Sequence, residues 1–196
     1  MSIALIVGLG NPGPRYMTTR HNAGFWLTDN IAVQMNTQFR QEAKFFGEVC
    51  RVEISHSQKE HTQCWLLKPN TFMNNSGQAV AALANYYKIP PQQILVIHDD
   101  LDFPPGTVRI KNGGSDCKHN GLKSIIAHLK LPSFLRLRLG IGHPGRGANV
   151  TNYVLNFPTR DEQTVIETAM NAALDVIPLI VAGELNKAMQ QLHTDT

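Results

Sequence analysis

Charge is scarce in this chain, and cysteine scarcer. Of 196 residues only 17% are Asp, Glu, Lys or Arg, whereas 42% are apolar, which excludes a largely disordered chain and leaves an ordinary globular one. Basic side chains outnumber acidic ones 18 to 15, a bias compatible with a polyanionic partner but too small to imply one. Cys50, Cys64 and Cys117 are odd in number and show no C-x-x-C spacing; no disulfide framework or zinc finger is implied, and reduced thiols in a cytosolic compartment are expected. Long apolar runs are missing as well. Ile3 to Val7 is too short for a signal or a membrane span and has no basic segment before it, and Val176 to Ala182 is interrupted by Pro178. The expectation is a cytoplasmic protein with no membrane association.

What is present is alternation. Ile3 to Leu9, Phe45 to Ile54, Cys64 to Leu67, Ile94 to His98, Val108 to Lys111 and Leu135 to Ile141 read as strands. Asn22 to Met35, Ser76 to Lys88 and His119 to Leu129 read as helices. Thr159-Arg160-Asp161-Glu162 has capping-box spacing and opens a helix to about Ile177, where Pro178 and Gly183 break the pattern before a last helix to about Leu192. No repeat or long linker divides the chain. The expected fold is a single α/β domain with a twisted, mixed, mostly parallel central sheet flanked by helices and a helical C-terminus, the strands around residues 45 to 67 pairing antiparallel. Ligands in such sheets sit outside the carboxyl ends of strands. The loops Gly10 to Asn22, Pro69 to Asn75 and His98 to Asp102 all fall there.

The first of these begins Gly8-Leu9-Gly10-Asn11-Pro12-Gly13, which matches G-x-G-x-x-G. A dinucleotide site needs a helix to open at the third glycine and an acidic residue about 20 positions on at a second strand end. Pro14 pushes Gly13 away from helical angles, and Asp29 lies inside a helical pattern. No G-K-[ST] follows, so a P-loop fails too.

Longer blocks carry more: GLGNPGPRYMTTRHNAG at 8 to 24, KPNTFMNNSG at 68 to 77, HDDLDFPPGTVRIKNGG at 98 to 114 and HNGLKSI at 119 to 125. In order and spacing these resemble the bacterial-type peptidyl-tRNA hydrolases, which cleave the ester joining a peptide to tRNA, and the resemblance covers nearly the whole chain. It implies His21 as catalytic base and Asp99 as the carboxylate that orients it. It sets Asn11 and Asn74 against the peptide and the scissile carbonyl and Asn120 on a bound water. Tyr16, Phe72, Met73 and His119 line the cleft, Tyr16 near the tRNA and Met73 near the peptide. Lys111 and Arg138 contact acceptor-stem phosphates, with Lys118 and Arg136 close in sequence. No cofactor, metal, membrane or obligate protein partner is implied, and the state is monomeric. One departure stands out: the glycine-rich loop before the family's H-N-G here carries Asp116, Cys117 and Lys118.

Chemistry supports these assignments. Ester hydrolysis needs a base to deprotonate water and donors for the oxyanion. A neutral imidazole is available at pH 7 and a nearby carboxylate fixes its tautomer; amides hydrogen-bond without competing for the proton. Other readings of the same letters are a Mg²⁺ site on Asp99, Asp100 and Asp102, Cys117 as a nucleophile with His119, and a non-catalytic RNA-binding module.

Overall fold

The computed structural model describes residues 1–57 and 60–194. In chain order the strands are β1 (Leu5–Gly8), β2 (Arg40–Glu42), β3 (Gly47–Ser55), β4 (His61–Pro69), β5 (Ile94–Asp100), β6 (Val108–Asn112) and β7 (Leu135–Gly140). The helices are α1 (Ala23–Gln34), α2 (Ser76–Tyr86), α3 (Asn120–Leu129), α4 (Val150–Val154), α5 (Arg160–Ala182) and α6 (Leu185–Thr194). One sheet holds all seven strands in the order β2-β3-β4-β1-β5-β7-β6. Its centre is parallel, β1 lying between β4 and β5 with Val7 opposite Leu67 and Val96. β7 runs parallel to β5. Antiparallel pairing is confined to β2 with β3, β3 with β4 and β6 with β7, so that only β3 and β6 run against the other five.

Alternation along each strand divides the core between the two faces. Ile6, Leu66, Leu95, Ile97 and Leu137 pack against α1, α5 and α6. Leu5, Val7, Leu67, Ile94 and Val96 pack against α2 and α3. Each such side chain contributes about 1.5–3 kcal/mol when fully buried, and the two-sided apolar pattern is what a covered parallel sheet requires.

The glycines of the first loop serve packing. α1 begins only at Ala23, after 3-10 turns at Pro14–Tyr16 and Arg20–Asn22. A Cβ on Gly24 would lie 2.4 Å from the Ile97 carbonyl oxygen, and one on Gly8 2.5 Å from the Gly24 oxygen. These two glycines let α1 touch the sheet where the site forms. Gly13, at φ 100°, turns the chain away from the strand.

Three elements differ from the sequence reading. β2 and α4 are too short, at three and five residues, to show a period. α5 runs through Pro178 without a break and ends at Gly183 in the left-handed region. A proline inside a helix costs about 3 kcal/mol, which the burial of Val176, Ile177, Ile180 and Val181 around it offsets. By length and composition α5 is apolar enough to cross a membrane, but its apolar face is the one buried on the sheet.

Candidate active site

Alternation also aims the acidic end of β5. Leu95 and Ile97 face α1, so Asp99 points that way, while His98 and Asp100 point to the other face. Asp99 thereby meets His21, held in the turn just before α1: Nδ1 of His21 lies 3.0 and 2.9 Å from the two carboxylate oxygens. On its other side Asp99 Oδ1 is 3.0 Å from Nε2 of His119. His119 is the N-cap of α3, its Nδ1 accepting from the backbone N–H groups of Gly121 and Leu122 at 3.2 and 3.4 Å. A neutral imidazole with a lone pair at Nδ1 carries its proton on Nε2. His119 therefore donates to Asp99, and His21 donates through Nδ1 and keeps a lone pair on Nε2.

Electrostatics agree. Burial opposes charge on Asp99, but His21 and His119 hold its carboxyl well below the usual carboxylate range. Burial lowers the His21 pKa; the charge and hydrogen bond of Asp99 outweigh it, leaving the value above the ordinary 6.5. His98 is buried beneath, its Nδ1 2.6 Å from the Asp99 carbonyl oxygen and its ring edge-on to His119. Burial, reinforced by His119, depresses its pKa to about 3, so it stays neutral.

Asn11 is fixed on every side but one. Its Oδ1 accepts from the Met73 N–H at 2.7 Å. Asn22 clasps its backbone, Oδ1 accepting from Asn11 N–H and Nδ2 donating to Asn11 O, both at 2.9 Å. With its oxygen occupied, Asn11 has its NH₂ left for a ligand. Asn74 is exposed and its amide has no hydrogen bond to the described residues; the N-cap position of α2 is Asn75, so Asn74 does not cap that helix.

An open cavity of about 790 Å³ gathers Asn11, His21, Phe72, Met73, Asn74, Asp99, His119 and Asn120, with Cys117, Lys118 and the α4 residues Val150, Thr151 and Val154 on its walls. Met73 is mostly core, buried between α2 and α3. Phe72 is exposed, and Tyr16, just outside the cavity lining, meets it edge-on at 6.2 Å.

Of the basic residues, Lys118 is on the cavity wall, whereas Lys111, Arg136 and Arg138 lie outside it. β6 and β7 pair Lys111 with Arg136 and Arg109 with Arg138, so all four cations share one sheet face. Arg136 is buried and donates to the Ser115 and Gly114 carbonyls; it braces the loop before α3 and is not free for a ligand. Arg138 is already bound, to Asp100 at 2.6 Å and more loosely to Asp102 at 3.4 Å.

His21, Asp99 and His119 have a spacing that suits a metal, yet the α3 N–H groups claim Nδ1 of His119 and leave a proton, not a lone pair, on Nε2. Asp100 binds Arg138 while Asp99 binds the histidines, so the acidic residues do not share a Mg²⁺ site. Both His119 nitrogens being engaged, His119 is not available as a base for Cys117.

The profile of the family described as peptidyl-tRNA hydrolase matches residues 5–196. The chain belongs to the peptidyl-tRNA hydrolase family. A peptidyl-tRNA hydrolase of Methylobacillus flagellatus is 54% identical over 194 residues, 99% of this chain and 98% of that protein. One of Halorhodospira halophila is 52% identical over 96% of this chain and 95% of its own. The crystal structure of peptidyl-tRNA hydrolase from Acinetobacter baumannii superposes with a TM-score of 0.90 at 43% identity, covering 97% of this chain and 94% of that one. Within this peptidyl-tRNA hydrolase fold, sequence reasoning missed three site residues: Asn22, Arg20 and His98. All lay in the quoted blocks, but their roles depend on partners that spacing does not reveal.

Proposed function

We propose that His21 takes a proton from water through Nε2, that Asp99 orients the neutral imidazole and stabilises the positive charge it then gains, and that the water attacks the ester carbonyl directly. The reaction is that of the family: the chain is a hydrolase of the ester bond between peptide and tRNA. The observation that supports the mechanism best is the double hold of Asp99 on Nδ1 of His21, which sets the tautomer a base requires. The NH₂ groups of Asn11 and Asn74 are the donors for the tetrahedral oxyanion, and Asn120 holds a water at the rim. The proton taken by His21 returns to the departing tRNA hydroxyl. Phe72, Met73 and Tyr16 supply apolar surface that tolerates many peptides, and His119 keeps Asp99 in place. Lys111 and Arg138 hold acceptor-stem phosphates, reading charge and shape rather than sequence.

No metal takes part, and hydrolysis is unaffected by EDTA. The enzyme works as a cytoplasmic monomer without an obligate protein partner, recycling tRNA released prematurely from the ribosome. Single-turnover hydrolysis of an N-acyl-aminoacyl-tRNA tests the mechanism. His21→Ala lowers the rate by about 10²–10⁴-fold while tRNA affinity stays within about twofold, the base making no phosphate contact; a near-normal rate overturns the assignment.

A further inference from the structure

The two carboxylates on Arg138 are not equivalent. Asp100, its side chain 5% exposed, takes the Nε edge at 2.6 Å; Asp102, 70% exposed, reaches Nη2 at only 3.4 Å. Asp100 also accepts from the Asp102 backbone N–H at 2.9 Å, fixing the turn that carries the second carboxylate. The Phe103 ring covers one face of the guanidinium at 4.6 Å and Asp100 holds Nε, so in this side chain, 12% exposed, the Nη atoms are what a phosphate would have to meet. A phosphate binds arginine best through two parallel N–H donors, and Nη2 is where Asp102 sits.

We propose that Asp102 is a built-in competitor for the phosphate on Arg138: Asp100 positions the guanidinium, and Asp102 occupies its Nη edge until the phosphate displaces it. The proposal rests on the reading of Arg138 as a phosphate contact. A short, buried ion pair is expensive to break, whereas a long, hydrated one is weak and exchanges readily. The pair therefore keeps Arg138 aligned when empty and lowers the affinity for tRNA, so that the product tRNA leaves.

Binding of deacylated tRNA at fixed ionic strength tests this in wild type, Asp102→Asn, Asp100→Asn, Arg138→Gln and the Asp102→Asn/Arg138→Gln double variant. Asp102→Asn tightens binding by about 1.5- to fivefold, the range of an exposed ion pair. Asp100→Asn weakens it, because the guanidinium loses its alignment. In the Arg138→Gln background Asp102→Asn has no further effect, as a coupled pair demands. A general loss of negative field would instead tighten both aspartate variants alike and persist without Arg138, and that result overturns the proposal. Unchanged affinity in Asp102→Asn with weakened binding in Arg138→Gln also overturns it, leaving the phosphate reading intact. Unchanged affinity in Arg138→Gln overturns the phosphate reading itself. Asp102→Ala and Arg138→Lys carry the same comparison should the buried Asp100→Asn fail to fold.

Discussion

At the scale of single residues, Asp99 decides what its neighbours can do. By holding Nδ1 of His21 with both oxygens it leaves Nε2 as the only basic nitrogen, and by raising the His21 pKa it makes a stronger base that is neutral only at higher pH. The same interaction stabilises the fold. The raised His21 contributes stability below its ordinary 6.5 and loses it as pH rises through the shifted value. Asp99 contributes above its ordinary 3.8 and loses it as pH falls. Asn11→Asp separates chemistry from folding at this scale. The Asp keeps an oxygen for the Met73 N–H and loses the NH₂, so kcat falls by about 10²–10³, the cost of one oxyanion donor. A thermal melt within a few degrees of wild type completes the expected result; retained turnover would show that the amide donates nothing. That His21, Asp99, Asn11, Asn74 and Asn120 share one cavity was legible in the sequence because they fall in the loops that follow neighbouring strands and in the blocks that carry the resemblance. Arg138 was legible as a cation but not as a bound one, since Asp100 lies 38 residues earlier. Arg136 was legible only as a cation close in sequence to Arg138, and only the fold shows it bracing Gly114 and Ser115.

At the scale of elements, the wall of the cavity depends on one arginine. α4 stands on the cavity after a loop containing Gly142, Gly145 and Gly147, all at positive φ. Arg20, the residue before His21, ties it down: its guanidinium donates to the Tyr153 and Asn156 carbonyls and to Glu162, the last at 2.7 Å, and lies 4.1 Å over the Tyr153 ring. Glu162 closes the capping box of α5 with Thr159, so the turn holding His21, the wall and the long helix meet at a single side chain. Arg20→Gln removes this partly buried pair at a cost of about 2 kcal/mol, between the values for exposed and buried pairs. The melt drops by about 4–8 °C for a chain of this size. KM rises as Val150 and Thr151 drift from the cavity, and calorimetry beside steady-state kinetics checks both. The capping box was readable at Thr159 to Glu162 because it is local. α4 was not, and Pro178 pointed to a break because burial of its neighbours outweighs the proline only once the sheet is there to bury them.

At the scale of the whole molecule, alternating strands and helices were enough to call a covered, mostly parallel sheet, and two-sided apolar strands to call its core. The strand order was not readable. Nothing local places β1 between β4 and β5, yet that insertion brings the loops after all three strands to one cavity and carries His21 to Asp99. The β6–β7 ribbon adds a face of four cations, of which Arg109 was missed although the alternation in Val108-Arg109-Ile110-Lys111 carries it. With Arg136 enclosed, a phosphate contact from Lys111 accounts for about one released counterion, so Lys111→Ala lowers the slope of log affinity for tRNA against log salt by about one. An unchanged slope would remove Lys111 from the interface. The central claim is that this topology builds a working base from His21 and Asp99, and the pH dependence of single-turnover hydrolysis tests it most directly. In wild type the acid limb lies above 6.5. In Asp99→Asn, with the charge that raises it gone, the limb moves to lower pH and the plateau rate falls by orders of magnitude. A limb that stays in place in Asp99→Asn, or a plateau that does not fall, would contradict the account.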